Sequence, residues 1–316
     1  MNDAATSHLT RRPRFRRAET APAFRVTDDD VAIVRQIARH RFVRSTHVAA
    51  LVGRSIDRTN DRLSRLFHAG YIDRPRAQLD YYPASGSSPM VYALAQRGAQ
   101  LLVERIGMDC ANVEWSRKNR EAGRPFIEHQ LEIVDFCIAL QRGVRHRTDI
   151  CIIDSDMLIA AFPEQTRNSR NPLALRVSLS HNGSVQEIGL IPDMVFGLLF
   201  ADGSRRCFTV EIDRGTMPVN RTDITQSSFE RKMRAYLAAY AGRQHEERFG
   251  WKTFRVLTVT TDHHRMRSMM ETLRQLHGAP SPGAALFLFA VRDELWAGNP
   301  IAHPWRDGNG RACRLV

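Results

Sequence analysis

The sequence predicts a mixed α/β chain, α+β overall, and three observations carry that expectation. Between Thr27 and Gly70, apolar residues recur at helical spacing in three short runs. Two short apolar segments with a period of two follow them, and after Pro125 strand-like and helix-like runs alternate, the order that packs helices on a central mixed sheet. At 316 residues and 43% hydrophobic content, the chain has length and apolar material for two cores. The expected division is a basic disordered arm over 1–25, a first domain over 26–107, a linker over 108–124, a second domain over 125–295 and a tail over 296–316.

In the first domain, Thr27 with Asp28, Asp29 and Asp30 caps a helix, because hydroxyl and carboxylate oxygens satisfy its free N–H groups and suit its positive end. Val31, Val34 and Ile37 give that helix a buried stripe. Ser45 starts a second helix that stops at Gly53. Ser55 starts a third, in which Ile56, Leu63, Leu66 and Phe67 face inward and Gly70 marks the end. Tyr71 to Arg74 and Met90 to Leu94 then read as paired strands joined by a polar segment with Ser85, Gly86, Ser87 and Ser88 at its tip. Three helices followed by a hairpin is the winged helix-turn-helix order. The third helix carries Arg54, Arg58, Asn60, Arg62 and Arg65, residue types suited to guanine, adenine or phosphate contacts in a major groove. The alternative is a winged helix for protein contacts with solvated arginines.

Charge favours the DNA reading. The chain has 46 Lys+Arg against 34 Asp+Glu, a net +12, and residues 1–125 hold 22 against 13, or +9 of that excess. Such a balance points to a polyanion, here double-stranded DNA. Arg12, Arg14 and Arg16 in the arm are expected to reach phosphates or a minor groove, the alternative being a solvated tail.

The second domain carries the acids. Asp193 interrupts the apolar run from Ile188 to Phe200, and Glu211 and Asp213 close the run from Cys207. Side chains alternate along a strand, so Cys207, Thr209, Glu211 and Asp213 share one face. If the preceding strand pairs through the turn at 201–204, Asp193 joins them at one sheet end. Three close carboxylates raise each other's pKa unless a cation compensates. That cation is either Mg2+, held by Asp193, Glu211 and Asp213, or a basic side chain. Lys232, on a helix with Phe229, Met233, Tyr236 and Tyr240, borders the face able to reach them. In a nuclease the metal polarises phosphate and water, and Lys232 and Glu211 serve catalysis. The alternative is a structural cluster neutralised by Lys232 and Arg214.

Pro192-Asp193, Glu211-Ile212-Asp213 and Lys232 together resemble the PD-(D/E)xK nuclease-like core. The sequence departs from it in placing Asp213 where the catalytic lysine normally stands, so Lys232 is either a migrated lysine or part of a degenerate site. Glu128, beside His129, matches where that core often adds an acid. Over residues 27–275 the organisation resembles the replication-relaxation family of plasmid and mobile-element proteins. That resemblance rests on Arg62-Leu63-Ser64-Arg65-Leu66, Gly70-Tyr71-Ile72, Val91-Tyr92-Ala93-Leu94 with Gly98, and His129. It continues with Pro192-Asp193, Glu211 to Thr216, Lys232 with Tyr236, and Val256 to Thr260 before Arg265.

The resemblance implies a DNA-binding accessory role in plasmid replication or relaxation; the expectation built on it is a sequence-specific accessory or regulatory protein of a plasmid or integrated element, with a degenerate nuclease-like domain. A homodimer is expected, with replication or mobilisation proteins as further partners. Two alternatives stay open: a Mg2+-dependent endonuclease using Asp193, Glu211, Asp213 and Lys232, and a transcriptional regulator whose second domain mediates dimerisation.

Other classes are disfavoured. No Walker A or GxGxxG string follows a predicted strand. The five cysteines form no CxxC pair or zinc spacing. The longest apolar stretch, Ala284 to Val291, is too short to cross a bilayer. A cytoplasmic protein associated with plasmid or nucleoid DNA is the expectation, with no membrane partner. His263 and His264 read as a helix start, and the tail around Trp305 has no assigned chemistry.

Overall fold

The computed structural model describes residues 14–20, 23–79, 88–108, 110, 113–181, 184–222, 226–277 and 282–316. Arg12 and most of the hairpin tip expected at 85–88 lie outside the described residues. The protein is mixed α/β, and its chain divides into two compact units, residues 1–134 and 135–316.

The first unit runs α1 (Asp28–His40), β1 (Phe42–Arg44), α2 (Ser45–Val52), α3 (Ile56–His68), β2 (Ile72–Asp73), β3 (Val91–Leu94), α4 (Gln96–Ile106) and α5 (Trp115–Glu121). The start of α6 (Arg124–Val144) closes it, and the division between the units falls inside this helix. α1 begins with a capping box in which Thr27 N–H and hydroxyl both donate to Asp30, each at 2.8 Å. α2 ends on Gly53 at φ 67°, a left-handed position that favours glycine. Val34, Ile37, Leu63 and Leu66 are fully buried, as their stripes predict, and Ile33 and Val48 join them; Ile56, expected to face inward at the start of the third helix, is 38% exposed. β1, β3 and β2 form an antiparallel sheet in that order, with Val43 opposite Tyr92 and Ile72 opposite Leu94. Gly98 lets α4 pass against the chain before β2, because a Cβ there would collide with the Tyr71 carbonyl oxygen.

Two segments of this unit depart from expectation. The stretch 108–124, read as a linker, holds α5, and its buried Asn119 donates to the Leu94 carbonyl at 2.8 Å. Trp115 Nε1 donates to the Cys110 carbonyl at 2.7 Å, Ser116 donates to Asp73, and Ala122 is buried, so several contacts place a segment that shows little apolar periodicity. The described part of the arm is also placed rather than free. Arg17 donates to the carbonyls of Phe67 at 2.9 Å and Ile72 at 3.1 Å and pairs with Asp73, while Ala18 N–H donates to His68 Nδ1 at 3.0 Å.

The second unit begins with the rest of α6 and continues β4 (Ile150–Ile153), α7 (Ser155–Ala160), α8 (Glu164–Arg167), β5 (Leu175–His181), β6 (Ser184–Leu190), β7 (Met194–Phe200) and β8 (Arg205–Ile212). Then come α9 (Phe229–Ala241), α10 (Gln244–Phe249), β9 (Arg255–Thr260), α11 (His263–His277), β10 (Phe287–Val291), α12 (Arg292–Ala297), β11 (Trp305–Asp307) and β12 (Ala312–Cys313). The main sheet has the order β12-β11-β10-β9-β8-β7-β4. Only the β8–β9 and β9–β10 pairs are parallel, so the sheet is mixed. The apolar run from Ile188 to Phe200 is split at Pro192 between two strands. β6 pairs with β5 in a separate hairpin and β7 joins the main sheet, since proline offers no N–H to a ladder.

α9 and α11 share an apolar cluster with one sheet face: Met233, Tyr236, Met269 and Leu273 meet Val195, Val256, Phe287 and Phe289. Residues of opposite parity carry a second cluster, in which Phe136 meets Phe196 and Trp305, and Phe196 stacks on Phe208 at 4.9 Å. The predicted tail is therefore structural. β11 pairs with β10, Trp305 is fully buried, and its indole N–H donates to the Pro300 carbonyl at 2.8 Å. The turn-rich composition concealed two strands too short to show a period.

Candidate functional site

The antiparallel pairing of β7 with β8 places the start of one beside the end of the other. Met194 lies opposite Val210, Asp193 N–H donates to the Val210 carbonyl at 3.1 Å, and Asp193 Oδ2 accepts from Ile212 N–H at 2.8 Å. Asp193 thus fastens the two strands where the acids gather. Strand parity puts Glu211 and Asp213 on the face that carries α9 and α11, and both are buried.

α9 closes over Glu211. Ser228 caps this helix by accepting from Arg231 N–H at 3.2 Å, which sets its first turn above the sheet. Lys232 and Tyr236, one turn apart, then reach the two oxygens of one carboxylate. Lys232 Nζ lies 2.5 Å from Glu211 Oε2, and the Tyr236 hydroxyl donates to Oε1 at 2.6 Å. Glu211 is 1% exposed, whereas the Lys232 side chain keeps 30%. The Glu211 carboxyl is pushed up to about 7: burial raises it most, the Lys232 ammonium offsets part of that rise, and Asp193 adds to it. Burial alone would lower the Lys232 pKa, but Glu211 and Asp193 outweigh it and hold the ammonium protonated. Tyr236 stays a neutral donor, its pKa raised first by burial and then by Glu211.

Asp213 takes a separate cation. Arg265 on α11 forms a two-pronged contact, Nε to Oδ2 at 2.5 Å and Nη2 to Oδ1 at 2.7 Å. Thr260, in β9, adds a hydroxyl bond to Oδ2 at 2.7 Å, and Asp213 N–H donates to the Val259 carbonyl at 2.8 Å. Asp262 orients the Arg265 turn by accepting from its backbone N–H at 2.9 Å.

The three acids converge at one sheet end, yet each is held by the chain's own donors. A carboxylate whose two oxygens already meet an ammonium and a phenol, or a guanidinium fork, has no favourable position left for a divalent ion beside those cations. The donor set does not fit Mg2+. Among the described residues, no group of three or more His, Cys, Asp or Glu side chains is arranged to hold a metal ion. Glu128, in the first unit, forms an i,i+4 ion pair with Arg124 at 2.7 Å.

A sequence model of the replication-relaxation family matches residues 34–257, well over half of the chain. The protein belongs to the replication-relaxation family. The match begins within α1 and ends within β9, so in this family member it takes in Asp193, Glu211, Asp213, Lys232 and Tyr236. Arg265, which holds Asp213, lies beyond it. No curated protein and no solved structure matches this replication-relaxation protein.

Sequence reasoning named Tyr236 as part of a buried face and Arg265 as a landmark, but missed their bonds to the acids. The spacing of Lys232 and Tyr236 was the available signal for the first. Nothing local announces Arg265.

In the first unit, the five polar residues predicted to face DNA separate into two groups. Arg62 is 20% exposed and its Nε donates at 2.8 Å to Asp30, the fully buried acid of the α1 capping box. Its guanidinium also stands 4.9 Å from the Phe24 ring. Arg54 pairs with Asp29, and Arg65 pairs with Asp61 at 3.0 Å. The side chains of Arg58 and Asn60 are exposed, with no ion pair or hydrogen bond among the described residues. Arg14 and Arg16 are exposed as well, and the Arg14 carbonyl accepts from Arg74 at 2.8 Å.

Proposed function

We propose that this protein is a sequence-specific, double-stranded DNA-binding accessory or regulatory factor serving replication or relaxation of a plasmid or integrated element. In this reading the first unit is a winged helix whose α3 enters the major groove. The second is a nuclease-like fold whose acid cluster has become structural, and it mediates contacts with a second copy or with replication or mobilisation proteins.

One contrast carries the reading: Arg58 and Asn60 on α3 are exposed and unpaired among the described residues, while Glu211 and Asp213 are closed by Lys232, Tyr236 and Arg265. The +9 charge of residues 1–125 supports it, since phosphate neutralisation supplies affinity. The order α1, α2, α3, then β2 and β3, supports assigning α3 to the groove.

The test has two arms. A gel-shift series across salt on target DNA should show weaker binding and a smaller salt slope for Arg58→Ala with Asn60→Ala; unchanged binding removes α3 from the interface. Supercoiled plasmid incubated with Mg2+ or Mn2+ should stay uncut. Nicked or linear product that disappears in Glu211→Ala would replace this reading with an endonuclease.

A further inference from the structure

The first unit contains a cavity of about 580 Å3, within the range of small-molecule sites. Four guanidinium groups line it, those of Arg17, Arg74, Arg76 and Arg120, against the single carboxylate of Asp73. That carboxylate is already engaged. It pairs with Arg17 and accepts from Ser116 at 3.2 Å and Asn119 at 3.4 Å.

Arg74 is the unusual group. Its guanidinium lies 4.1 Å from the Phe67 ring centre and 5.3 Å from that of Tyr92, and it donates to the Arg14 carbonyl and the Tyr92 hydroxyl. Its Nε is buried with no hydrogen-bond partner, and among the described residues no carboxylate pairs with it. Burial lowers its pKa, as expected for a cation withdrawn from water without a counter-ion. Asn119, 4% exposed on the same wall, keeps a buried Oδ1 without a partner. Arg76 and Arg120 are exposed and form no ion pair among the described residues. Three unneutralised guanidinium forks around one concavity are a mismatch that an incoming anion would relieve. The fork geometry suits the several acceptor oxygens of a phosphate better than the two of a carboxylate.

We propose that this cavity binds a phosphate monoester of up to nucleotide size through Arg74, Arg76 and Arg120. The phosphate comes either from a free phosphorylated small molecule or from the 5′-phosphorylated end of a DNA strand. Because Phe15 and Arg17 of the arm line the same cavity, an occupant fastens the arm against the end of α3 and so governs how its arginines are presented. The site goes beyond DNA holding through α3 and does not depend on it.

The full-length protein would be titrated by calorimetry and thermal shift with inorganic phosphate, pyrophosphate, AMP, ATP, and one short oligonucleotide with either a 5′-phosphate or a 5′-hydroxyl. Saturable one-site binding is expected for at least one phosphate-bearing probe, weakened at least about tenfold by Arg76→Glu with Arg120→Glu. Both positions are exposed, so the unliganded variant should melt with the wild type. Arg58→Ala, which tests the α3 reading separately, should leave binding of inorganic phosphate, pyrophosphate, AMP and ATP unchanged. Preference for the nucleotides identifies a free ligand; preference for the phosphorylated over the hydroxyl oligonucleotide, with no response to nucleotides, identifies a strand end. Absence of saturation with every probe, or binding equal in the rim variant, overturns the site.

Discussion

Helix α3 and the end of strand β8 are both marked in the sequence by charge, and the structure leaves part of the first open while closing the second. Along α3 and the residues before it, Arg54, Arg62 and Arg65 meet carboxylates of their own unit while Arg58 stays exposed. At β8, each buried carboxylate is met by a cation from a helix above the sheet. A cluster of charges speaks for a ligand only to the extent that the chain has not already supplied the partner. Desolvation makes that accounting strict in a core and lenient on a surface.

The comparison breaks most sharply at Lys232. Lys232→Ala takes the ammonium from buried Glu211 and should cost about 3 kcal/mol in urea unfolding above about pH 7, and less at lower pH, where the carboxyl takes up a proton instead. Lys232→Met combined with Glu211→Leu, which removes both charges, should recover most of that loss. A stable Lys232→Ala single variant would show that the pair does not hold α9 to the sheet.

The next effect is one of pH. The folded pKa of Glu211 is raised to about 7 from an ordinary 4.5, so its protonation favours the folded state. The stability it contributes is fully present below about pH 4.5 and is lost as pH rises through about 7, by at most about 3 kcal/mol. The unfolding free energy of the wild type minus that of Glu211→Gln should therefore fall between those limits. A difference that is flat with pH would place the titration elsewhere.

Arg62→Ala leaves Asp30 buried without its fork and should cost about 2 kcal/mol, read as a lower urea midpoint. Arg58→Ala, on the same helix, should stay within about 0.5 kcal/mol of the wild type. Equal losses at the two positions would erase the division of α3 into structural and free arginines.

Much of this was legible in the residues. The Thr27 to Asp30 cap, the stripes through Ile37 and Leu66, and the parity that sets Glu211 beside Asp213 follow from local periodicities of 3.6 and 2. The break at Pro192 is also local chemistry, since proline brings no N–H to a ladder, although the apolar run around it is otherwise continuous. β1, β11, β12 and α5 are three, three, two and seven residues long, too short for a period to stand out. They are held by neighbours: β1 by β3, β11 by β10, and α5 by the bond from Asn119 to the Leu94 carbonyl.

The amino-acid sequence by itself determined which charges exist, which face of a strand or helix each occupies, and that the basic excess lies in the first 125 residues. Only the tertiary structure decided which charges remain available. Lys232 and Tyr236 reach Glu211 across 21 and 25 residues, and Arg265 reaches Asp213 across 52. Those pairings depend on where α9 and α11 cross the sheet, and the crossing is set by packing of apolar faces rather than by the charged residues themselves.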